Sequence, residues 1–319
     1  MSWFDSAGRD SDVILGSSVT LIRNIEGFPF CGRDSESDDK LIKKLSEALS
    51  DSGLSAMELS TIGRPALGVF AAKRLIGRDI PAKSMGSLML DEERGVSIAL
   101  GIRDHVRIRV TGAGESLDEC LERAFGFEKL LDDRFGLAYS EDLGYLTSDP
   151  AFLGSAASFS VITHLPAVGA ARVNRFLTVE SLGGDLFEIT SPPCPWISEK
   201  DQISRLAAAK ALIESERAER GKLRNDSTRL CDRIMRAKGI FSNAYLMPLE
   251  EFLSLWSDLR LGAVLGIGEL LSPEELGGIL ISAMPACLPP ESDEEVARAA
   301  MLRRKLERRG LRRQVPELI

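Results

Sequence analysis

The sequence lacks any run approaching the roughly 18 to 20 uninterrupted apolar residues that cross a bilayer. Its first residues carry Asp5, Arg9 and Asp10 where a signal peptide would carry an apolar core. A cytoplasmic protein with no membrane association is expected. Cysteine is sparse: Cys31, Cys120, Cys194, Cys231 and Cys287 are odd in number and never at C-x-x-C spacing. That argues against a disulfide framework and a zinc site, so free thiols and no metal centre are expected. Positive charge is also short. A formal net charge of −8 argues against nucleic-acid binding as a general role, because neutralising phosphates takes an excess of Lys and Arg. Internal repeats and low-complexity linkers are missing.

What is present suffices for two cores, with 44% hydrophobic residues in 319. The first part mixes periods. Residues 41–49 have helical spacing, Val106, Ile108 and Val110 alternate with His105, Arg107 and Arg109 as in a half-buried strand, and residues 117–135 are helical again. Residues 159–165 and 186–190 are further strand candidates, the latter bounded by Gly183-Gly184 and Pro192-Pro193. From Ser198 the pattern is helical. Ser198 with Asp201 makes a capping-box candidate, and Ser292 with Glu295 makes a second, opening a helix that runs into the basic tail 303–313. The expected class is α+β, with residues 1–222 forming a mixed domain and 223–319 an all-helical one.

Four ordered segments resemble the bacterial protein arginine kinases of the McsB type, in the phosphagen kinase (ATP:guanido phosphotransferase) superfamily. They are SDVILGSSVTLIRN (11–24), VSIALGIRDHVRIR (96–109), GYLTSDPAFLGSAASFSVITHLPAV (144–168), and FSN with SDLRLGAVLGI within 233–267. The resemblance covers nearly the whole chain. It implies an antiparallel sheet flanked by helices, then a helical domain that dimerises and reads phosphoarginine. The last segment favours the McsB type over metabolic guanidino kinases, which lack this helical extension.

Phosphoryl transfer from ATP to a guanidinium rests on positioning and on cations that spread transition-state charge. By the resemblance, the family's phosphate-binding arginines fall here on Ser18, Thr20 and Ser158, none of which can make a bidentate charged contact. Arg23, His105 and Arg107 match the family and are the expected nucleotide-site remnants. The acceptor carboxylates align with Gly101, Ile102, Arg103 and Asp104, of which Asp104 alone is an acid, and the family's cysteine position is Asp149. Residues 168–185 are too few for the family's second acidic loop, although they include Glu180. In the phosphoarginine reader, Glu294 stands at the leading arginine's position, followed by Glu295, and Arg298 is kept.

Other roles stay open for several of these. His105 and His164 are equally read as packed strand residues, Arg107 and Arg109 as a solvated strand face, and Ser257, Asp258 and Arg260 as a turn and helix start or part of a regulatory site. Residues 292–295 also read as a capped helix start.

The expectation is a pseudokinase: a regulatory or scaffold partner in arginine-phosphorylation and Clp-type quality control, needing no cofactor. It would be a homodimer or a heterodimer with an intact McsB, or a partner of an McsA-like activator or a Clp unfoldase. The alternative is an active, divergent guanidino kinase using Mg-ATP, with Asp104, Asp149 or Glu180 as base and Arg103, Arg107 or Arg172 on the phosphates. A third possibility treats the basic tail as an interaction arm, against an ordinary amphipathic terminal helix bearing Leu302, Leu306 and Leu311.

Overall fold

The computed structural model describes residues 2–32, 35–77, 80, 86–169, 177–193, 197–207, 209–224, 227–268 and 271–308. The alternation at 105–110 becomes strand β5 (Asp104–Ala113), which pairs with β4 (Val96–Ile102) on one side and β1 (Ile14–Arg23) on the other. With β2 (Ser55–Glu58), β3 (Ser87–Asp91), β8 (Ala157–His164), β9 (Thr178–Gly183) and β10 (Leu186–Ser191) they make an eight-stranded antiparallel sheet, ordered β2-β3-β4-β5-β1-β8-β10-β9. A separate small hairpin joins β6 (Tyr139–Ser140) to β7 (Gly144–Tyr145).

The two-residue period of a strand gives the sheet two unlike faces. Val19, Leu21, Ile108, Val110, Phe159, Val161 and Ile189 turn to one side and are buried in a single core by α1 (Ser35–Ala48), α3 (Leu117–Phe135), α4 (Glu199–Ala207) and α5 (Ala209–Leu223). Helix α3 buries Leu117, Cys120, Ala124, Glu128 and Leu131, which are spaced three and four apart and so share one face. On the other side of the sheet, α2 (Arg64–Ala72) covers β3 and β4 through Leu67, Leu88, Leu90 and Ala99. Leu15, Ile162 and Leu186 on that same side join Trp3 in a second core with α6 (Ser227–Asn243), α7 (Leu249–Leu265), α8 (Pro273–Ser282) and α9 (Glu294–Arg308). Between these two apolar covers the sheet surface is polar.

The fold is α+β with a helical carboxyl-terminal part, as expected. No helix among the described residues is long and apolar enough to cross a membrane. Ser198 caps α4, accepting from the Asp201 backbone N–H at 3.2 Å. The box expected at Ser292 and Glu295 does not form. Asp293 Oδ1 instead accepts from the N–H groups of Glu295 and Val296 at 3.0 and 3.1 Å, while Ser292 Oγ turns back to the Pro289 carbonyl. A carboxylate next to the first helical turn meets both orphan donors and the helix dipole, which a hydroxyl one residue earlier does not. The complete capping box lies at Ser272 and Glu275, opening α8 with Pro273 in its first turn. Ser257, Asp258 and Arg260 are not a turn or helix start: they lie inside α7, which begins after Pro248. Helix α9 buries Leu302 and Leu306 as an amphipathic helix does, and residues 309–319, including Leu311 and the end of the basic tail, lie outside the described residues.

Candidate functional site

The polar sheet surface forms a cleft of about 440 Å³. Ser18 and Thr20 of β1 stand opposite Ser160 and Ser158 of β8, and Thr20 opposite Arg109 of β5, so strand register alone brings these groups together. A polar chain crosses the floor. Arg109 Nη2 donates to Ser18 Oγ at 3.3 Å, the Ser18 and Ser160 hydroxyls lie 2.8 Å apart, and Ser160 Oγ donates to Glu188 Oε1 at 3.2 Å. Arg74 Nη1 then pairs with Glu188 Oε2 at 2.8 Å, both side chains being largely buried. Arg74 follows the end of α2 in the left-handed region, φ 59°, a conformation costing about 1–2 kcal/mol for a residue with a side chain. Two arginines, Arg74 and Arg109, thus face two glutamates, Glu180 and Glu188, in a lining otherwise rich in hydroxyls.

The expected site residues divide. Ser18, Thr20 and Ser158 line the cleft, where the family resemblance implies arginines. Arg107 is half-buried on the same side of β5 but outside the lining, which takes Arg109. Arg23 is fully buried: it pairs with Glu128, lies over the Tyr145 ring, and donates to the carbonyls of Ile22 and Ser155. The nucleotide-remnant role expected for it has no exposed guanidinium to act through. His105 is spent similarly, its Nδ1 accepting from the Ile25 N–H and its Nε2 donating to the Pro29 carbonyl, each at 2.8 Å; burial lowers its pKa.

Asp104 is buried and accepts from Asn24 Nδ2 and Ser148 N, both at 2.7 Å, and from Ser148 Oγ at 3.1 Å. It ties β5 to the loop after β7. Asp149 caps a short 3-10 turn, accepting from Ala151 N at 3.0 Å. Ile102 is buried, and Arg103 is an exposed hairpin residue with φ 61°. Glu180 lies on the exposed strand β9, and Arg172 is outside the described residues. In the carboxyl-terminal part, Arg298 is 1% exposed and donates to the Ala283 and Met247 carbonyls, with Glu294 3.5 Å from its Nη2. Arg74, Ser160, Glu188 and Thr190 went unnoticed in the sequence, because nothing local marks residues that meet only through strand register or, for Arg74, through the packing of the turn after α2. Among the described residues, no cluster of three or more His, Cys, Asp or Glu could hold a metal.

The best-preserved motifs meet elsewhere, where the sheet joins the carboxyl-terminal helices. His164, of HLPA, donates from Nε2 to Ser257 Oγ at 2.8 Å, and Ser257, of SDLRLG, donates to Asp185 at 2.7 Å. Arg260 donates to the carbonyls of Ser11 and Pro273 at 2.6 and 3.1 Å. Arg220 of α5 pairs with Glu216 at 2.7 Å and donates to the carbonyls of Asp12 and His164, each at 2.8 Å. His164 is completely buried beside Trp256; desolvation, then Arg260 and Arg220, hold its pKa well below the ordinary 6.5.

Residues 38–183 match the family model of the ATP:guanido phosphotransferase carboxyl-terminal catalytic domain, and residues 227–315 that of the protein-arginine kinase McsB carboxyl-terminal domain. The chain is similar to the protein-arginine kinase of Bacillus licheniformis, 31% identical over 98% of this chain and 96% of the relative, and to that of Bacillus subtilis, 30% identical over 96% and 93%. In fold it resembles lombricine kinase, with a TM-score of 0.55, 18% identity, and 67% of this chain and 68% of that one covered. It also resembles the substrate-free duplicated taurocyamine kinase of Schistosoma mansoni, with a TM-score of 0.56 and 17% identity, covering 68% of this chain and 35% of that longer one.

Proposed function

Given that the chain belongs to the protein-arginine kinase family, we propose that it keeps the family's scaffold as a binding module and does not transfer phosphate from ATP. The observation that carries this is the polar chain from Arg109 through Ser18, Ser160 and Glu188 to Arg74. A triphosphate needs a surplus of fixed cations, but here both arginines lie among carboxylates, and the three positions that would hold further arginines carry hydroxyls. Bringing phosphates beside Glu188 and Glu180 sets like charges together in a half-enclosed space. These residues do not fit Mg-ATP. Asp104 has its oxygens taken by Asn24 and Ser148, so it is a tether and not a free base.

A second reading, an active and divergent arginine kinase, is favoured by a different observation: the similar full-length relatives are named protein-arginine kinases. Calorimetric titration of the full chain with Mg-ATP and Mg-ADP separates the two. The module reading expects no binding heat, and micromolar affinity, followed by phosphoarginine on a test protein, would establish the kinase instead.

As a module, the chain acts in the cytoplasm through a partner, for which an intact protein-arginine kinase of the same family is the first choice. The supporting feature is a carboxyl-terminal helical unit, in which Leu230, Ile234 and Leu261 form a small cluster beside the larger core that its helices share with the sheet. We place the division between the two units at 222/223. Size-exclusion chromatography of a mixture with an intact relative tests the pairing, and two unshifted peaks would reject it.

A further inference from the structure

The β6–β7 hairpin already holds one guanidinium. Arg23 lies 3.6 Å from the centre of the Tyr145 ring, and Glu128 accepts from Arg23 Nη2 at 3.2 Å and from the Tyr145 hydroxyl at 2.6 Å. An aromatic face backed by a carboxylate is the pair of features that a planar cation selects. Outside the core the hairpin repeats both. Tyr139 packs edge-on against Tyr145 with ring centres 5.3 Å apart, yet is 60% exposed, and Phe125 and Leu143 extend an apolar surface at 38% and 43%. These residues line a groove of about 570 Å³ together with Glu141, Asp142 and Glu199. No lysine or arginine lines it, and among the described residues none of those three carboxylates is in an ion pair.

We infer that this groove docks an arginine-bearing segment of a partner protein. The incoming guanidinium stacks on the free face of Tyr139 and pairs with the rim carboxylates, while its methylene stem lies against Phe125 and Leu143. Arginine is chosen over lysine because a planar, weakly hydrated cation can stack and ion-pair at once, as Arg23 does next door. The chain's net charge of −8 adds attraction at longer range. The groove shares no lining residue with the sheet cleft, so the docking stands whether or not the cleft binds nucleotide.

The test is fluorescence anisotropy of the full chain, without nucleotide, using a fluorescein-labelled Gly-Ser peptide that carries arginine. Matched peptides carry citrulline or lysine in its place. Replacing arginine by citrulline is expected to weaken binding about tenfold, and Tyr139→Ala to weaken it by a similar factor. Tyr139→Phe should keep the affinity, because the ring face is retained. Glu141→Gln with Asp142→Asn should lower both the affinity and its salt dependence. Since Tyr139 is exposed, an unchanged thermal midpoint shows that these variants remain folded. Equal binding of the arginine and citrulline peptides, no binding, or indifference to both Tyr139→Ala and the double variant overturns the site. Equal binding of the lysine peptide overturns its guanidinium selectivity.

Discussion

Strand β8 contributes to two regions that make opposite use of polar side chains. At the cleft, Ser158 and Ser160 stand among hydroxyls, two arginines and two glutamates, and several of the groups meet solvent. At the junction, His164, six residues or fewer further along, enters a network with the buried Ser257, Arg220 and Arg260 and with Asp185 at its edge, in which the contacts run largely to backbone carbonyls. Two segments that resemble the family, HLPA and SDLRLG, belong to the junction, and three of the positions where the resemblance implies a different residue, Ser18, Thr20 and Ser158, line the cleft. A buried charge that loses its partner is costly, whereas an exposed phosphate-binding arginine can be exchanged for serine with little structural effect. Motif retention in this chain therefore reports packing at the junction more than chemistry at the cleft.

The contrast is easiest to break at Arg220. Arg220→Ala leaves Glu216, which is fully buried, without its ion pair and two carbonyls without a donor, so a loss of about 3–5 kcal/mol in urea unfolding is expected. A loss under about 1 kcal/mol would show that the buried Arg220–Glu216 pair contributes little to the fold.

A smaller effect comes from His164. Its folded-state pKa lies well below 6.5, so as pH falls below about 6.5 the unfolded chain takes up a proton that the folded chain refuses. Stability should therefore be unaffected by this group above that pH and fall below it, with a slope of up to about 1.4 kcal/mol per pH unit. His105 is shifted in the same direction by burial and adds to the slope. In His164→Gln the fall in thermal midpoint between pH 7 and roughly pH 5 should be shallower, whatever the variant's stability at neutral pH; an unchanged slope would remove His164 as its source.

The cap on α8 gives a finer measure. Ser272→Ala removes one half of the capping box and should cost about 1 kcal/mol by chemical denaturation. Smallest of all should be Thr20→Ala and Ser158→Ala in the cleft, each within about 0.5 kcal/mol of the parent. If either destabilised the chain as much as Ser272→Ala, the cleft would have to be regarded as part of the structural framework.

Much of the architecture was legible without coordinates, since local periodicity carries it. The alternation at 105–110 gave the first two-thirds of β5, and the helical spacing at 117–135 gave α3 residue for residue. The N-cap of α9 was missed by one residue because Ser292 and Asp293 are both good caps, and backbone placement chose between them. The site was less legible. Arg23, His105 and Arg298 match family positions, yet burial turns each of them to structural use. Arg74 and Glu188 had no local signal at all.

By itself the sequence determined the family likeness, the α+β class and the presence of hydroxyls at Ser18, Thr20 and Ser158, because each is a property of residue identity and order along the chain. Only the tertiary structure decided which surviving charges remain available. That depends on who faces whom across strands far apart in sequence: Arg109 across from Thr20, Ser160 from Ser18, and Arg74 reaching Glu188. Partnering and desolvation are set by that juxtaposition, and they separate an arginine able to meet a ligand from one already consumed by the fold.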